Sequence, residues 1–154
     1  MEQKKSGNGE IGKQVNNSVI DSSVAIKWFS QEESTNKALE IRSSFLRGEI
    51  TIVVPDILLY EITNALRYNK SFSEKEVKES VNSLIDLGIN IFAPTKDIIE
   101  KAVELSYRFN ISFYDAYFVG LAAALGFLFI TADEKLYDKL KILRFVKLLK
   151  DLEL

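Results

Sequence analysis

Short apolar runs alternating with helical stretches predict an α/β domain, a parallel sheet covered by helices on both faces. Three observations carry that prediction. The strand candidates Ser18–Asp21, Thr51–Val54 and Phe127–Thr131 are brief and almost wholly apolar inside, as strands buried on both faces are. The stretches between them show helical spacing of apolar residues. Strand and helix signals recur in alternation along the chain, the order that builds parallel sheets.

Residues 1–17 are rich in Lys, Gly, Asn and Gln and read as a flexible polar tail, which leaves one domain over 18–154. The first strand, Ser18–Asp21, closes on an aspartate, and Ser22–Phe29 turns into a short helical stretch. Ser34–Leu46 is a helix whose apolar side is Ala38, Leu39, Ile41, Phe45 and Leu46. Thr51–Val54 is β-branched and reads as a strand. Pro55 ends it and suits the first turn of a helix running to Asn69. Ser73 and Glu76 have capping-box spacing, so a helix runs from there to Leu87, where Gly88 stops it. Ile89–Phe92 is a third strand and Asp97–Phe109 a helix. Ser112 opens an Ala-rich helix that ends near Gly126. Phe127–Thr131 is the fourth strand, Glu134–Lys141 a helix, and Arg144–Leu148 the last strand.

With 154 residues, 47% hydrophobic and 27% charged, the chain has the size and balance of one globular domain. A net charge of −2 gives no overall attraction for nucleic acid, so a metal and a local basic rim would have to supply it. No apolar run reaches the roughly 20 residues that span a bilayer. The amino terminus lacks the apolar core of a secretory signal, so a cytoplasmic location is expected.

The chain contains no histidine and no cysteine. That removes histidine triads, thiol nucleophiles and Cys/His zinc sites together, and leaves acid–base or metal chemistry mainly to carboxylates. Asp21, Glu61, Asp115 and Asp133 stand out by position. Each also has a purely structural reading. Asp21 suits a turn or helix cap. Glu61 lies at the border of the stripe formed by Leu58, Ile62, Ala65 and Leu66, where either a solvated or a partnered carboxylate fits. Asp115 is the third residue after Ser112 and fits a capping box, although its neighbours Phe113, Tyr114 and Tyr117 are apolar for a helix start. Thr131 and Glu134 could form another box, with Asp133 favourably placed at the positive end of the helix. Carboxylates converging without a cation repel one another, so a shared site would demand a hard divalent ion.

The flanking residues are more specific than the acids. Val19-Ile-Asp-Ser-Ser-Val-Ala-Ile-Lys-Trp28 resembles the opening of PIN-domain ribonucleases, particularly VapC-type toxins of toxin–antitoxin pairs. Pro55-Asp-Ile-Leu-Leu-Tyr-Glu-Ile-Thr-Asn-Ala-Leu66 resembles the second motif of that family, with its glutamate followed three residues on by asparagine. Ser112-Phe-Tyr-Asp-Ala-Tyr117 is similar to the third and Phe129-Ile-Thr-Ala-Asp-Glu-Lys-Leu136 to the fourth, all in the family's order. The resemblance implies a three-layer sandwich with about five parallel strands between helices. It also implies that Asp21, Glu61, Asp115 and Asp133 form a metal-binding catalytic pocket, with Ser23, Asn64 and Thr131 as supporting polar groups. The implied cofactor is Mg²⁺ or Mn²⁺, the substrate RNA, and the partners a cognate antitoxin and a second copy of the chain. The polar tail departs from the family pattern.

On this reading Asp21, Asp115 and Asp133 coordinate the principal ion, and Glu61 completes the shell or orients the nucleophile. Lys27, Arg67, Lys70 and Arg108 are available for phosphate contacts, and Trp28, Tyr60, Tyr68 and Tyr114 for base stacking. The simpler expectation is that these cations are solvated surface and these aromatics core. Two other functions compete: a non-catalytic PIN-fold module that binds RNA or protein, and a metal-dependent DNA nuclease or phosphatase.

Overall fold

The structure is a computed structural model and describes residues 15–153. Its centre is a five-stranded, all-parallel sheet in the order β3-β2-β1-β4-β5. The strands are β1 (Asn17–Ile20), β2 (Thr51–Pro55), β3 (Asn90–Phe92), β4 (Leu128–Thr131) and β5 (Val146–Leu148). The helices are α1 (Ser22–Ala25), α2 (Thr35–Leu46), α3 (Ile57–Tyr68), α4 (Glu74–Asp86), α5 (Lys96–Phe109), α6 (Phe113–Leu125) and α7 (Glu134–Leu140). Short 3₁₀ turns follow α1 at Ile26–Trp28 and β5 at Leu149–Asp151. With right-handed crossovers, the helices after β1 and β2 cover one face and those after β3 and β4 the other. The expected α/β sandwich is the observed one.

The apolar content of each element explains its place. Val19, Ile20, Ile52, Phe129 and Ile130 are fully buried in the three central strands. Helix α6 is apolar on nearly every side, which suits it to lie between the sheet and α5. It packs on β1, β2 and β4, and α5 backs it along its length. The close approach of those two helices depends on Gly120, where an added Cβ would sit 3.3 Å from the Ala102 backbone nitrogen. The edge strand β3 is less covered than an α/β strand is expected to be: Asn90 is exposed and Ile91 is 40% exposed.

Several boundaries differ from expectation for local reasons. Val15 and Asn17 were expected in the tail, but Val15 is buried in the core and Asn17 begins β1 opposite Thr51. Ser18 Oγ donates to the Val15 carbonyl at 2.9 Å and ties that residue down. Residues 1–14 of the expected tail lie outside the described residues. Pro55 does not open α3; it is the buried last residue of β2, in register with Phe92, and the Asp56 N–H donates to the Phe92 carbonyl. The Ser73–Glu76 capping box is present in both directions. Gly88 and Gly126 both take the positive φ expected of helix-ending glycines. Among the described residues no helix is long and apolar enough to cross a membrane.

The chain leaves β1 toward β2 and later returns on the other side of it as β4. The crevice at the carboxyl ends of β1 and β4 is therefore the switch point of the sheet, where open α/β folds bind ligands.

Candidate active site

Asp21 follows directly on β1 and lies at this crevice, almost wholly buried. Its backbone conformation is extended, and its side chain caps α1 by accepting from the Val24 N–H at 3.3 Å. The capping reading of this residue therefore holds, but it does not exhaust the side chain. Ser23 Oγ also donates to Oδ1, and Thr131 Oγ1 donates to Oδ2 at 2.5 Å. Burial pushes the carboxyl up to about 6; the two hydroxyls and the Val24 N–H oppose that shift, and the negative charge of Asp115 adds to it.

The two hydroxyls also bind the end of β4. Ser23 Oγ accepts from the Ala132 N–H at 2.8 Å, and Thr131 Oγ1 accepts from the Asp133 N–H at 3.1 Å. Thr131 is fully buried and its hydroxyl is taken up by Asp21 and Asp133, so the Thr131–Glu134 capping box does not form. Asp133 itself is the cap: its Oδ1 accepts from the Leu136 N–H at 3.0 Å at the start of α7, and the residue is exposed.

Asp115 sits in the first turn of α6, where its N–H donates to Ser112 Oγ at 3.1 Å. Partial burial raises its carboxyl; Ser112 lowers it, Asp133 raises it and Lys139 lowers it. Glu61, on α3, is also raised, chiefly by burial and further by Asp115. The Ser22 hydroxyl faces Glu61 and eases that shift, yet neither Ser22 Oγ nor Glu61 Oε1 completes a hydrogen bond. Asp115 is thus the hub, since its charge is felt at both Asp21 and Glu61 while Asp133 acts on it.

The structure therefore makes the four expected acids a chain of neighbours through Asp115, with Ser23 and Thr131 on Asp21, and Asp115 and Asp133 line one cleft. Among the described residues no three of the acids meet as a finished metal-ligand cluster. The donor set nevertheless suits a hard divalent cation: oxygen ligands only, mutual repulsion, and a buried carboxylate oxygen on Glu61 that lacks a partner. Asn64 is not drawn in. It is exposed and hydrogen-bonds none of the four acids.

Of the expected peripheral residues, Arg67, Lys70 and Arg108 are exposed, and Trp28 is core, its Nε1 donating to the Ala38 carbonyl at 2.8 Å. Lys27 is instead buried and paired with Glu32 at 3.1 Å. Tyr60, Tyr68 and Tyr114 are exposed rather than core. Lys139 escaped the sequence reading because a helix lysine looks like any solvated surface cation. Its spacing from Lys135, four residues apart on the helix that Asp133 opens, is the only sequence signal it offered.

The profile of the PIN domain matches residues 18–141. The chain belongs to the PIN-domain family. Among curated protein sequences none matches it. Solved structures share the PIN fold at low identity. A toxin–antitoxin complex from Klebsiella pneumoniae has a TM-score of 0.62 and 18% identity, covering 84% of this chain and 95% of that one. VapC20 of Mycobacterium tuberculosis, a toxin that cleaves the sarcin–ricin loop, has a TM-score of 0.61 and 16% identity, covering 79% and 93%. VapBC2 of Rickettsia felis, bound to a promoter DNA fragment, has a TM-score of 0.64 and 14% identity, covering 86% and 96%.

Proposed function

We propose that this PIN-domain protein is a divalent-metal-dependent endoribonuclease acting as the toxin of a toxin–antitoxin pair. The observation that carries the catalytic part is the gathering of Asp21, Glu61, Asp115 and Asp133 at the switch point, with three of the four carboxyls held above their ordinary values. A pocket of this kind repels a phosphodiester until a cation fills it, which favours a nuclease over a module that only binds RNA. The toxin assignment and the antitoxin rest on the likeness to the toxin–antitoxin structures; the homodimer is what the motif resemblance implies, and the cytoplasmic location is the expectation from the sequence.

Asp21, Asp115 and Asp133 would hold Mg²⁺ or Mn²⁺, with Glu61 completing the shell. The ion, once bound, makes a nearby water more acidic and neutralises charge on the phosphoryl oxygens. The residues of the chain do the positioning. Ser23, Thr131 and the Val24 N–H fix both oxygens of Asp21, so its carboxylate meets the ion in one orientation. The α7 cap fixes Asp133 through its Oδ1 and leaves Oδ2 for the crevice. Glu61 Oε1, which completes no hydrogen bond although the Ser22 hydroxyl faces the carboxyl, would accept from the attacking water and aim it.

The test is cleavage of a mixed set of single-stranded and structured RNAs with Mg²⁺ or Mn²⁺, alongside matched DNA and a phosphomonoester. RNA should be cut, and cutting should vanish with EDTA and in Asp115→Asn. Cutting that survives both controls would refute the metal pocket; turnover of DNA or phosphomonoester alone would move the activity to the competing class.

A further inference from the structure

The stretch that follows Asp133 is basic in a chain whose net charge is −2. Residues 134–150 carry six Lys or Arg against two Asp or Glu, and all six cations are exposed. Two of them are neutralised: Lys150 pairs with Glu134 at 2.5 Å and Lys141 with Asp138 at 3.5 Å. Among the described residues, no acid lies at ion-pair distance from Lys135 or Lys139. They lie one helical turn apart on α7, on the face that borders the candidate active site.

Those two lysines line a cleft of about 180 Å³ together with Asn110, Ser112, Asp115 and Asp133. Lys139 is anchored there. Its Nζ donates at 2.8 Å to the carbonyl of Asn110, the left-handed residue that ends α5, where the helix dipole favours a positive charge. One of the three N–H bonds of the ammonium is used in this way, and two remain. Among the described residues, the one positive charge that acts on Asp21, Glu61 or Asp115 is that of Lys139, on Asp115. The bond to Asn110 holds Lys139 at the edge of the cleft, where its charge acts on Asp115.

We infer that Lys139, with Lys135 beside it, forms a phosphate subsite that grips the RNA strand at the phosphate flanking the scissile one. The subsite rests on the nuclease reading of the neighbouring acids and adds to it a reason for acting on a polynucleotide. An ammonium binds phosphate as a point charge and tolerates any base, so the subsite would fix the strand without selecting its sequence. It would also offset the repulsion between the RNA backbone and the acidic pocket before the strand is seated.

The experiment compares the full chain with Lys139→Gln, Lys135→Gln and Lys139→Arg in two assays. In cleavage of an RNA oligonucleotide, Lys139→Gln should raise KM about fivefold, the loss of one partly exposed charge contact, with kcat little changed. In anisotropy with a labelled single-stranded RNA, done in the Asp115→Asn background, each Gln variant should lower the slope of log affinity against log salt by about 0.7. Lys139→Arg should restore both. Lys135 makes no anchoring bond, so an effect of Lys135→Gln on binding at unchanged melting temperature reads charge rather than structure. Unchanged salt slopes in both Gln variants would overturn the subsite, as would a Lys139→Gln defect confined to melting temperature and kcat. A wild type that cuts nothing fails the nuclease reading, and the binding slopes still decide the subsite.

Discussion

Thr131 Oγ1 donates to Asp21 Oδ2 at 2.5 Å and in turn accepts from the Asp133 N–H at 3.1 Å. One buried hydroxyl so links two of the four acids across the adjacent ends of β1 and β4. It orients the first through its side chain and the second through its backbone. Thr131→Val keeps the shape and removes both bonds. That variant should lose about 1–3 kcal/mol of stability, because Asp21 is left buried with one donor fewer. Thr131→Ser should retain most of it. Urea denaturation of the three proteins checks the order, and a valine variant as stable as wild type would show the link to be idle.

Asp21 makes the metal-free fold sensitive to pH. Its carboxyl stands at about 6 in the folded protein against an ordinary 3.8, with burial the main cause. A raised value means that the neutral form is favoured by folding. The stabilising contribution is complete below about pH 4 and is lost as pH rises through 6. Two units at about 1.4 kcal/mol each put the full penalty at roughly 3 kcal/mol above pH 7. In EDTA, Asp21→Asn should therefore be more stable than wild type at pH 7.5 and lose that advantage by pH 4, while cleavage is abolished. Denaturation midpoints across that range give the answer; parallel pH profiles for the two proteins would contradict the raised carboxyl.

Asp133 has two roles that two substitutions separate. Its Oδ1 caps α7, and asparagine caps a helix as well as aspartate does. Asp133→Asn should keep wild-type stability in EDTA and lose metal-dependent cleavage. Asp133→Ala should lose cleavage and also about 1 kcal/mol, the usual cost of a missing cap. Equal activity of the asparagine variant and wild type would remove Asp133 from the ligand set.

Much of this was legible in the sequence, and the reason is local. The strands announce themselves because buried parallel strands must be apolar on both faces, and the helix at Glu74 because Ser73 and Glu76 satisfy each other across one turn. Asp21 and Asp133 could be placed at strand ends because apolar runs stop just before them. What the sequence hid depends on tertiary partners. The spacing of Thr131 and Glu134 fits a capping box, and only the adjacency of β1 and β4 shows the hydroxyl claimed by Asp21. Pro55 reads as a helix opener until its register with Phe92 holds it in β2. Asn64 follows Glu61 by three residues, yet it stays exposed where Glu61 is partly buried. Lys139 gains meaning only from Asn110, which ends a helix 29 residues earlier in the chain.

The most direct test of the four-carboxylate centre is a Mn²⁺ titration followed by the electron paramagnetic resonance signal of the free ion. Wild type should deplete that signal with saturable binding, and Asp115→Asn, which removes the charge at the hub, should weaken binding about tenfold or more. Mg²⁺ should compete for the same site. A wild type that leaves the free-ion signal undiminished, or an Asp115→Asn protein that binds as tightly, would contradict the proposal that these acids form one metal centre.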